Sequence, residues 1–188
     1  PATEEAAIEE AAIGSNLIGK VEGPEVITDP SQYPTSFQEA PMLAELVASG
    51  ELESVEQRIG KDPLVLKPVH EIGQYGGTWR RGFTGPGDGL NGIRVAVGRD
   101  GLLDFKYSST DVVPNVAKGW EASDDGRIIT LFLREGMRWS DGVPFTADDI
   151  MFWYEHIYLN SELMPNGFID FQINGKSGKI EKIDDYTV

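Results

Sequence analysis

The stretch Gly136–Glu155, GMRWSDGVPFTADDIMFWYE, places a tight polar turn, a helix start and a dense aromatic cluster within twenty residues. Ser140-Asp141-Gly142 predicts the turn, because glycine adopts the positive φ at which a chain reverses. Thr146 can cap the following helix, with Asp148 and Asp149 in its first turn, where carboxylates meet the positive end of the helix dipole. The stretch therefore predicts a strand, a turn and a capped helix in succession.

The helix after Thr146 is rich in aromatic residues. One apolar stripe recurs at helical spacing, formed by Ile150, Trp153, Tyr154 and Ile157. Three further residues widen this stripe, namely Met151, Phe152 and Tyr158. A stripe of this width predicts a largely buried helix.

The chain before this helix is mostly β in character. Asp124-Asp125-Gly126 is typical of a hairpin turn, and the strands that flank it are predicted over 120–123 and 128–133. Earlier strands are predicted over 64–66 and 77–83. The preceding residues favour two short helices, one from Pro41 to Gly50 and one that Ser54 and Gln57 begin as a capping box.

Charge and composition narrow the function. The 16 basic and 31 acidic residues give a formal charge of −15, which is repelled by phosphate backbones and anionic lipid surfaces, so no nucleic-acid partner is expected. The chain has no cysteine, which fits a reducing compartment and a disulfide-free exported protein equally well. No metal-binding or cofactor motif is present, so we expect neither a metal nor a cofactor.

Asp148 and Asp149 are the best candidates for a catalytic pair of carboxylates. Adjacent helical residues point about 100° apart, so the two do not form a facing acid/base pair. Favourable interaction of carboxylates with the helix dipole in the first turn explains the two aspartates better than catalysis does. We therefore expect no catalytic residue and no enzymatic activity.

The run Val112–Tyr158 resembles the signature region of the family 5 extracellular solute-binding proteins of ABC importers, a group that includes oligopeptide- and dipeptide-binding proteins. The resemblance rests on P-N-x-A-x-x-W-E, the hairpin D-D-G, a strand ending in L-R-x-G, W-S-D-G-x-P-F, and T-A-D-D before an aromatic helix. Upstream, EAPMLAELVASGEL and EIGQYGGTWRRGF are similar to a subgroup with an extended N-terminus. The resemblance covers most of Gln38–Val188.

The family resemblance implies a mixed α+β fold, the N-terminal portion of a type II periplasmic-binding-protein-like architecture that is β-rich with a few helices and lacks the second lobe. It divides the chain into an acidic N-terminal extension (1–62), the first strands of lobe I (63–92) and a small β-rich accessory domain with a buried aromatic helix (93–188). Family members are several times longer, so the chain is expected to be a fragment.

The implied function is that of the solute-binding component of an ABC importer. Such a protein captures a peptide or an oligosaccharide and delivers it to the permease subunits, through which it is peripheral to the membrane. The start at Pro1 suggests that a leader has been removed, so a periplasmic or extracellular, cell-surface location is expected. The alternative is a free-standing β-rich adhesion or interaction module without a transport role.

Two loops and one helical side chain are the predicted ligand contacts. The loop after the first strand faces the cleft in the family, which points to Phe83, Thr84, Gly85 and Asp88. The loop after the aromatic helix and the helix itself add Asn166, Phe168 and Trp153. A second group is predicted to be structural, because turn, cap and core chemistry explain it without a ligand, and consists of Trp120, Trp139, Asp141, Gly142, Thr146 and Asp149.

Overall fold

The computed structural model of the chain describes residues 22–89, 100–168 and 171–188. The strands in these ranges are β1 (Glu25–Ile27), β2 (Val65–Lys67), β3 (Leu103–Phe105), β4 (Val112–Pro114), β5 (Ala117–Ala122), β6 (Ile129–Leu133), β7 (Gln172–Ile173) and β8 (Lys176–Ser177). The helices are a 3₁₀ turn (Pro30–Gln32), α1 (Ala44–Ser49), α2 (Val55–Arg58) and α3 (Ala147–Phe152), which continues as a π-helix (Trp153–Tyr158). This mixture of helices and strands agrees with the predicted α+β class.

Within these ranges the strands form antiparallel pairs, β1 with β2, β3 with β4, β5 with β6, and β7 with β8. The β5–β6 hairpin confirms the prediction from Asp124-Asp125-Gly126: Gly126 has φ 67°, and Ser123 N–H donates to the Ile128 carbonyl at 2.9 Å. The Ser123 hydroxyl oxygen also accepts hydrogen bonds from the backbone N–H groups of Arg127 and Ile128. Local turn chemistry thus fixes the register of the hairpin.

The core lies where this hairpin meets α3. Ala117, Leu133 and Ala147 are fully buried there. The segment 186–188 runs beside β6, since Leu133 N–H donates to Tyr186 O and Leu131 N–H donates to Val188 O, both at 2.8 Å. The core is therefore closed by backbone pairing on one side of the hairpin and by a helix on its face. Partly buried apolar side chains surround it, namely Leu102, Leu103, Phe145, Ile150, Tyr186 and Val188.

The predicted strand over 77–83 does not form. These residues are exposed, with Trp79 at 69% of its full accessibility, and the Arg81 guanidinium lies 5.1 Å from the centre of the Trp79 ring. A strand requires backbone partners on a neighbouring segment, and no described residue pairs with 77–83 in a ladder. The alternation in the sequence was therefore insufficient evidence for a strand.

The prediction that Phe152 belongs to the buried apolar stripe of the helix is also wrong. It is 60% exposed, whereas Ile150 and Trp153 are half-buried and Tyr154 is buried. At about 100° per residue, Phe152 lies about 200° from Ile150 and so on the opposite side of the helix. Its ring contacts His156, one turn further on the same exposed face.

The N-terminal segment is joined to the hairpin by close backbone contact. Lys61 and Asp62 both donate a backbone N–H to the Glu135 carbonyl, at 3.1 and 3.3 Å. A Cβ added to Gly136 would lie 2.8 Å from Gly60 Cα, and one added to Gly60 would lie 2.8 Å from the Gly136 carbonyl. Two glycines are therefore needed where these segments touch.

Replacing Gly136 by alanine should destabilise the fold more than the same change at Gly142. Both glycines have φ 90°, so the backbone strain is matched, but a Cβ at Gly142 meets nothing within 4 Å. We expect Gly136→Ala to cost about 1–3 kcal/mol beyond Gly142→Ala in urea unfolding, because it adds overpacking to the shared strain. Equal losses for the two variants would contradict the close contact.

Asp62 carries an electrostatic link across the same junction. Its Oδ2 accepts hydrogen bonds from Lys118 Nζ at 2.8 Å and from Glu135 N–H at 3.4 Å. Partial burial pushes the pKa of the Asp62 carboxyl upward, but the hydrogen bonds from Lys118 and Glu135 outweigh it, and the pKa is lowered from its ordinary value. Folding therefore favours the ionised form of Asp62.

The acid sensitivity of folding should depend on Asp62. A carboxyl whose pKa is lowered by folding stabilises the protein in full above its unfolded pKa of about 4, and this contribution is lost as the pH falls through the folded value. Asp62→Asn should therefore lose less stability than the native chain between about pH 5 and pH 2, measured by urea unfolding at each pH. Lys118→Met should flatten the same part of the profile. If Asp62→Asn and the native chain lost stability in parallel, the link would not operate.

Candidate functional site

The turn at 139–143 is built by backbone bonds and one carboxylate. Trp139 N–H donates to Val143 O at 2.8 Å, and Gly142 N–H donates to Trp139 O at 2.9 Å. Asp141 Oδ1 accepts from Val143 N–H at 3.0 Å, and Gly142 has φ 90°. The Ser-Asp-Gly sequence therefore forms a chain reversal, which the Asp141 carboxylate and the positive φ of Gly142 support.

The helix cap is joined to this turn through Asp149. Thr146 is the N-cap of α3, and its hydroxyl accepts from Asp148 N–H at 3.3 Å. Asp149 Oδ2 accepts from Thr146 N–H at 2.8 Å, while its Oδ1 accepts from Trp139 Nε1–H at 3.0 Å. The Trp139 and Phe145 rings also form a T-shaped contact, with centroids 5.3 Å apart. One carboxylate thus both caps the helix and orients the tryptophan.

The neighbouring Asp148 has a different partner. Its Oδ1 accepts from Lys182 Nζ at 2.8 Å, and the same lysine binds Asp185 at 2.8 Å. These hydrogen bonds raise the pKa of Lys182. The two adjacent carboxylates therefore point to separate partners and do not face each other, as expected from their helical spacing.

Removing Asp149 should cost more stability than removing Asp148. Asp149→Ala deletes a capping interaction and the partner of an indole N–H, so we expect a loss of about 1–3 kcal/mol. Asp148→Ala deletes an exposed ion pair, for which about 0–1 kcal/mol is expected. Chemical denaturation measures both losses, and near-ultraviolet circular dichroism should report a changed Trp139 environment in Asp149→Ala alone. An unchanged aromatic signal in that variant would contradict the contact.

Trp120 and Trp153 both lie against other elements. Trp120 is half-buried in β5, opposite Leu131 of β6. Trp153 begins the π-helix and stacks on Tyr158 with centroids 5.5 Å apart. Tyr158 in turn stacks on Tyr154 and meets the Phe171 ring edge-on. This packing is typical of a core position for Trp153, and its predicted contact with a ligand stays a prediction.

The first predicted ligand loop is closed by its own aspartate. Asp88 Oδ2 accepts from Thr84 N–H at 3.0 Å and lies 3.2 Å from Thr84 Oγ1, and Asp88 N–H donates to Gly85 O at 2.9 Å. Phe83 is exposed beside it, and a Cβ at Gly85 would meet no atom of the described residues within 4 Å. The loop therefore offers a preformed turn with open space at Gly85.

The second predicted ligand loop follows the π-helix. Gly167 has φ 64° and donates its N–H to Met164 O at 3.0 Å. The Asn166 carbonyl accepts from Gln172 Nε2 at 3.3 Å, and the Phe168 ring is exposed. The backbone of Asn166 is thus engaged while the aromatic side chain remains accessible.

Two grooves lie elsewhere on the surface formed by 22–89, 100–168 and 171–188. One is lined by residues around α2, β6 and the 139–142 turn, and the other by residues of β1, β3 and β4. Neither predicted ligand loop lines either groove. The sequence pattern gave no sign of these grooves, because each combines segments that are distant in sequence.

The described residues contain no cluster of three or more potential metal-ligating side chains drawn from histidine, cysteine and the acids. In the same part of the chain, no helix has both the length and the apolar character required to cross a membrane.

Part of this architecture matches a known protein family. Residues 111–188, from β4 through the hairpin and α3 to the last described residue, match the bacterial extracellular solute-binding proteins, family 5 Middle. Over this region, which is less than half of the chain, the sequence is similar to the family 5 extracellular solute-binding proteins. The match includes the turn, the cap and the aromatic helix.

Individual curated proteins are similar over different lengths of the chain. A periplasmic alpha-galactoside-binding protein of Rhizobium meliloti (strain 1021) is 35% identical over an alignment of 161 residues, with coverage of 76% of this chain and 23% of that protein. A dipeptide-binding protein of Escherichia coli (strain K12) is 38% identical over 60 residues, 29% of this chain and 11% of that protein. The chain thus spans less than a quarter of each of these relatives.

Solved structures show the same architecture. The oligopeptide-binding protein OppA matches with a TM-score of 0.73 and 40% identity, covering 84% of this chain and 24% of that one. The periplasmic binding protein MelB from Agrobacterium fabrum C58, in complex with stachyose, matches with a TM-score of 0.56 and 29% identity, covering 88% and 27%. Both neighbours are solute-binding proteins, and their similarity extends beyond the region matched by the family.

Proposed function

We propose that the chain forms part of the solute-binding component of an ABC importer, which captures a peptide or an oligosaccharide outside the cytoplasmic membrane and delivers it to the permease. The observation that carries the proposal is the 40% identity to an oligopeptide-binding protein over most of the fold. The similarity to an alpha-galactoside-binding protein supports the same role with a saccharide.

In this proposal, residues 63–92, which include β2, begin a ligand-binding lobe, and residues 93–188 form an accessory domain, with 1–62 as an acidic extension. Phe83, Thr84, Gly85 and Asp88 contact the solute from the first loop, Asn166 and Phe168 contact it from the second, and Trp153 contacts it from the helix. The open space at Gly85 supports close approach of a ligand to the backbone. The exposed rings of Phe83 and Phe168 provide apolar contact area.

Binding alone suffices for this function. The separate partners of Asp148 and Asp149 argue against a paired-carboxylate hydrolase. A binding protein acts by closing around its solute and presenting the closed form to the permease, which a second lobe would make possible. The protein would then work in the periplasm or at the cell surface, attached to the membrane through the permease.

Identification of the solute that the protein carries when it is purified from its source cells tests this function. The gene product is purified under non-denaturing conditions and analysed by native mass spectrometry. In a separate experiment, a strain that lacks the gene is assayed for uptake of labelled stachyose and labelled oligopeptides. We expect a bound peptide or saccharide of defined mass, together with loss of uptake of that class in the deletion strain. A product without bound solute, from a strain with unchanged uptake of both classes, would refute the importer function.

A second candidate function is a β-rich adhesion or interaction module. The exposed apolar side chains favour it, since large exposed apolar surfaces mark protein–protein contacts. Phe152, Leu159 and Leu163 on and after the aromatic helix are each more than half exposed. Stable association with a partner protein in the same purification, without a bound solute, would favour this alternative.

A further inference from the structure

One of the grooves described above combines an apolar wall with polar residues. It has a volume of about 850 Å³ and lies between the segment around α2 and the 137–142 stretch. The predicted ligand loops do not line it, so it is separate from the site proposed above. Its apolar wall is formed by Leu52, Ile59, Leu64, Val116 and Met137.

Trp139 lines this groove and is held in one orientation. Its Nε1–H is bound by Asp149 at 3.0 Å, and its ring packs in a T-shaped contact with Phe145. The residue nevertheless remains 50% exposed. Because the polar atom of the indole is already bonded, the accessible part of the side chain is mainly carbon surface. A fixed, accessible aromatic ring is a preorganised contact for a ligand.

Several charged side chains at the groove are already engaged in the fold. Arg58 is paired with Glu39 at 2.5 Å, and Asp62 is paired with Lys118 at 2.8 Å. Arg134 donates to backbone carbonyls. These groups shape the wall, and their hydrogen-bonding capacity is largely used.

Other polar groups beside Trp139 retain hydrogen-bonding capacity. Arg138 donates from Nη1 to Gly142 O at 3.2 Å, which leaves further guanidinium N–H groups. The Ser140 hydroxyl and the Asp100 carboxylate have no hydrogen-bond partner among the described residues, and Arg138, Ser140 and Asp100 are all lining residues of the groove. Donors and acceptors are therefore present on the same surface as the aromatic ring.

The formal charges at the groove are balanced. Three arginines lie against three acids, so no excess charge of either sign selects an ion. The basic members are Arg58, Arg134 and Arg138, and the acidic members are Glu53, Asp62 and Asp100. A neutral ligand with many hydroxyl groups fits this balance better than a phosphate or a zwitterionic peptide does.

We propose that this groove binds one ring of a neutral saccharide. The C–H face of the sugar stacks on Trp139, and its hydroxyl groups donate to Asp100, accept from Arg138 and exchange hydrogen bonds with Ser140. A pyranose combines an apolar face with a rim of donors and acceptors, which is the arrangement found around Trp139. This site is independent of the importer function, because the groove lies outside the proposed solute contacts.

Nuclear magnetic resonance of the ¹⁵N-labelled full chain tests the proposal directly. Indole N–H signals are assigned with Trp139→Phe and Trp79→Phe, and the native chain is titrated with methyl α-galactopyranoside, stachyose, dialanine and inorganic phosphate. We expect saturable shifts of the Trp139 signal with the two saccharides only, while Trp79, an exposed tryptophan outside the groove, stays unchanged. Absence of a saccharide-induced shift, or an equal shift with dialanine or phosphate, would overturn the proposal.

Variants separate ligand contact from folding. Arg138→Ala should weaken saccharide binding about three- to tenfold, as expected for the loss of one hydrogen-bonding group. Trp139→Ala should weaken it by a similar factor through loss of the aromatic face, and the unfolding curve shows whether that variant remains folded. Trp79→Ala serves as the matched tryptophan control and should retain native affinity. Native affinity in folded Arg138→Ala and Trp139→Ala would exclude the groove as the site.

Discussion

The buried guanidinium of Arg134 is the contact on which the junction of the fold depends. Arg134 is 5% exposed, and its Nε donates to Asn115 O at 2.7 Å. Its Nη1 donates to the carbonyls of Asp62 and Pro63, at 3.2 and 3.0 Å. Burial lowers the pKa of this guanidinium, while Tyr33 and Asp62 act in the opposite direction. A buried cation without such partners would cost several kcal/mol, so the carbonyls and the arginine require one another.

This contact explains why the N-terminal segment packs so tightly on the hairpin. Arg134 stands at the end of β6, next to the Glu135 carbonyl that receives two N–H groups from the same segment. The close approach of Gly60 and Gly136 follows, because the bonds on either side hold the backbones together. The ion pairs of Lys61 with Glu135 and of Asp62 with Lys118 lie toward solvent, where such pairs contribute little individually. Hydrogen bonds to the backbone therefore hold the junction together, and the surface ion pairs reinforce it.

The sequence predicted those features that a few neighbouring residues determine. The Asp124-Asp125-Gly126 hairpin, the Ser54 and Gln57 capping box, and the end of α1 at Gly50 all formed as expected, since each is stabilised within one turn of chain. The strand over 77–83 was wrong because pairing requires a distant partner. The role of Arg134 was not predicted either, because its carbonyl partners in residues 62–63 lie 71 and 72 positions away. L-R-x-G marks the place in the sequence without showing what the arginine binds.

The stretch Gly136–Glu155 shows why structural and binding interpretations of one motif need not compete. Asp149 closes the capping box with one oxygen and holds the Trp139 indole with the other, so helix stability and tryptophan orientation depend on the same carboxylate. Turn chemistry accounts for Asp141 and Gly142, yet it leaves the Trp139 ring half exposed at the edge of a groove. A tryptophan that served packing alone would be expected to be buried. The fold fixes the Trp139 side chain and leaves it accessible to solvent. A ligand that binds there does not have to immobilise this side chain, because its conformational entropy is already lost on folding.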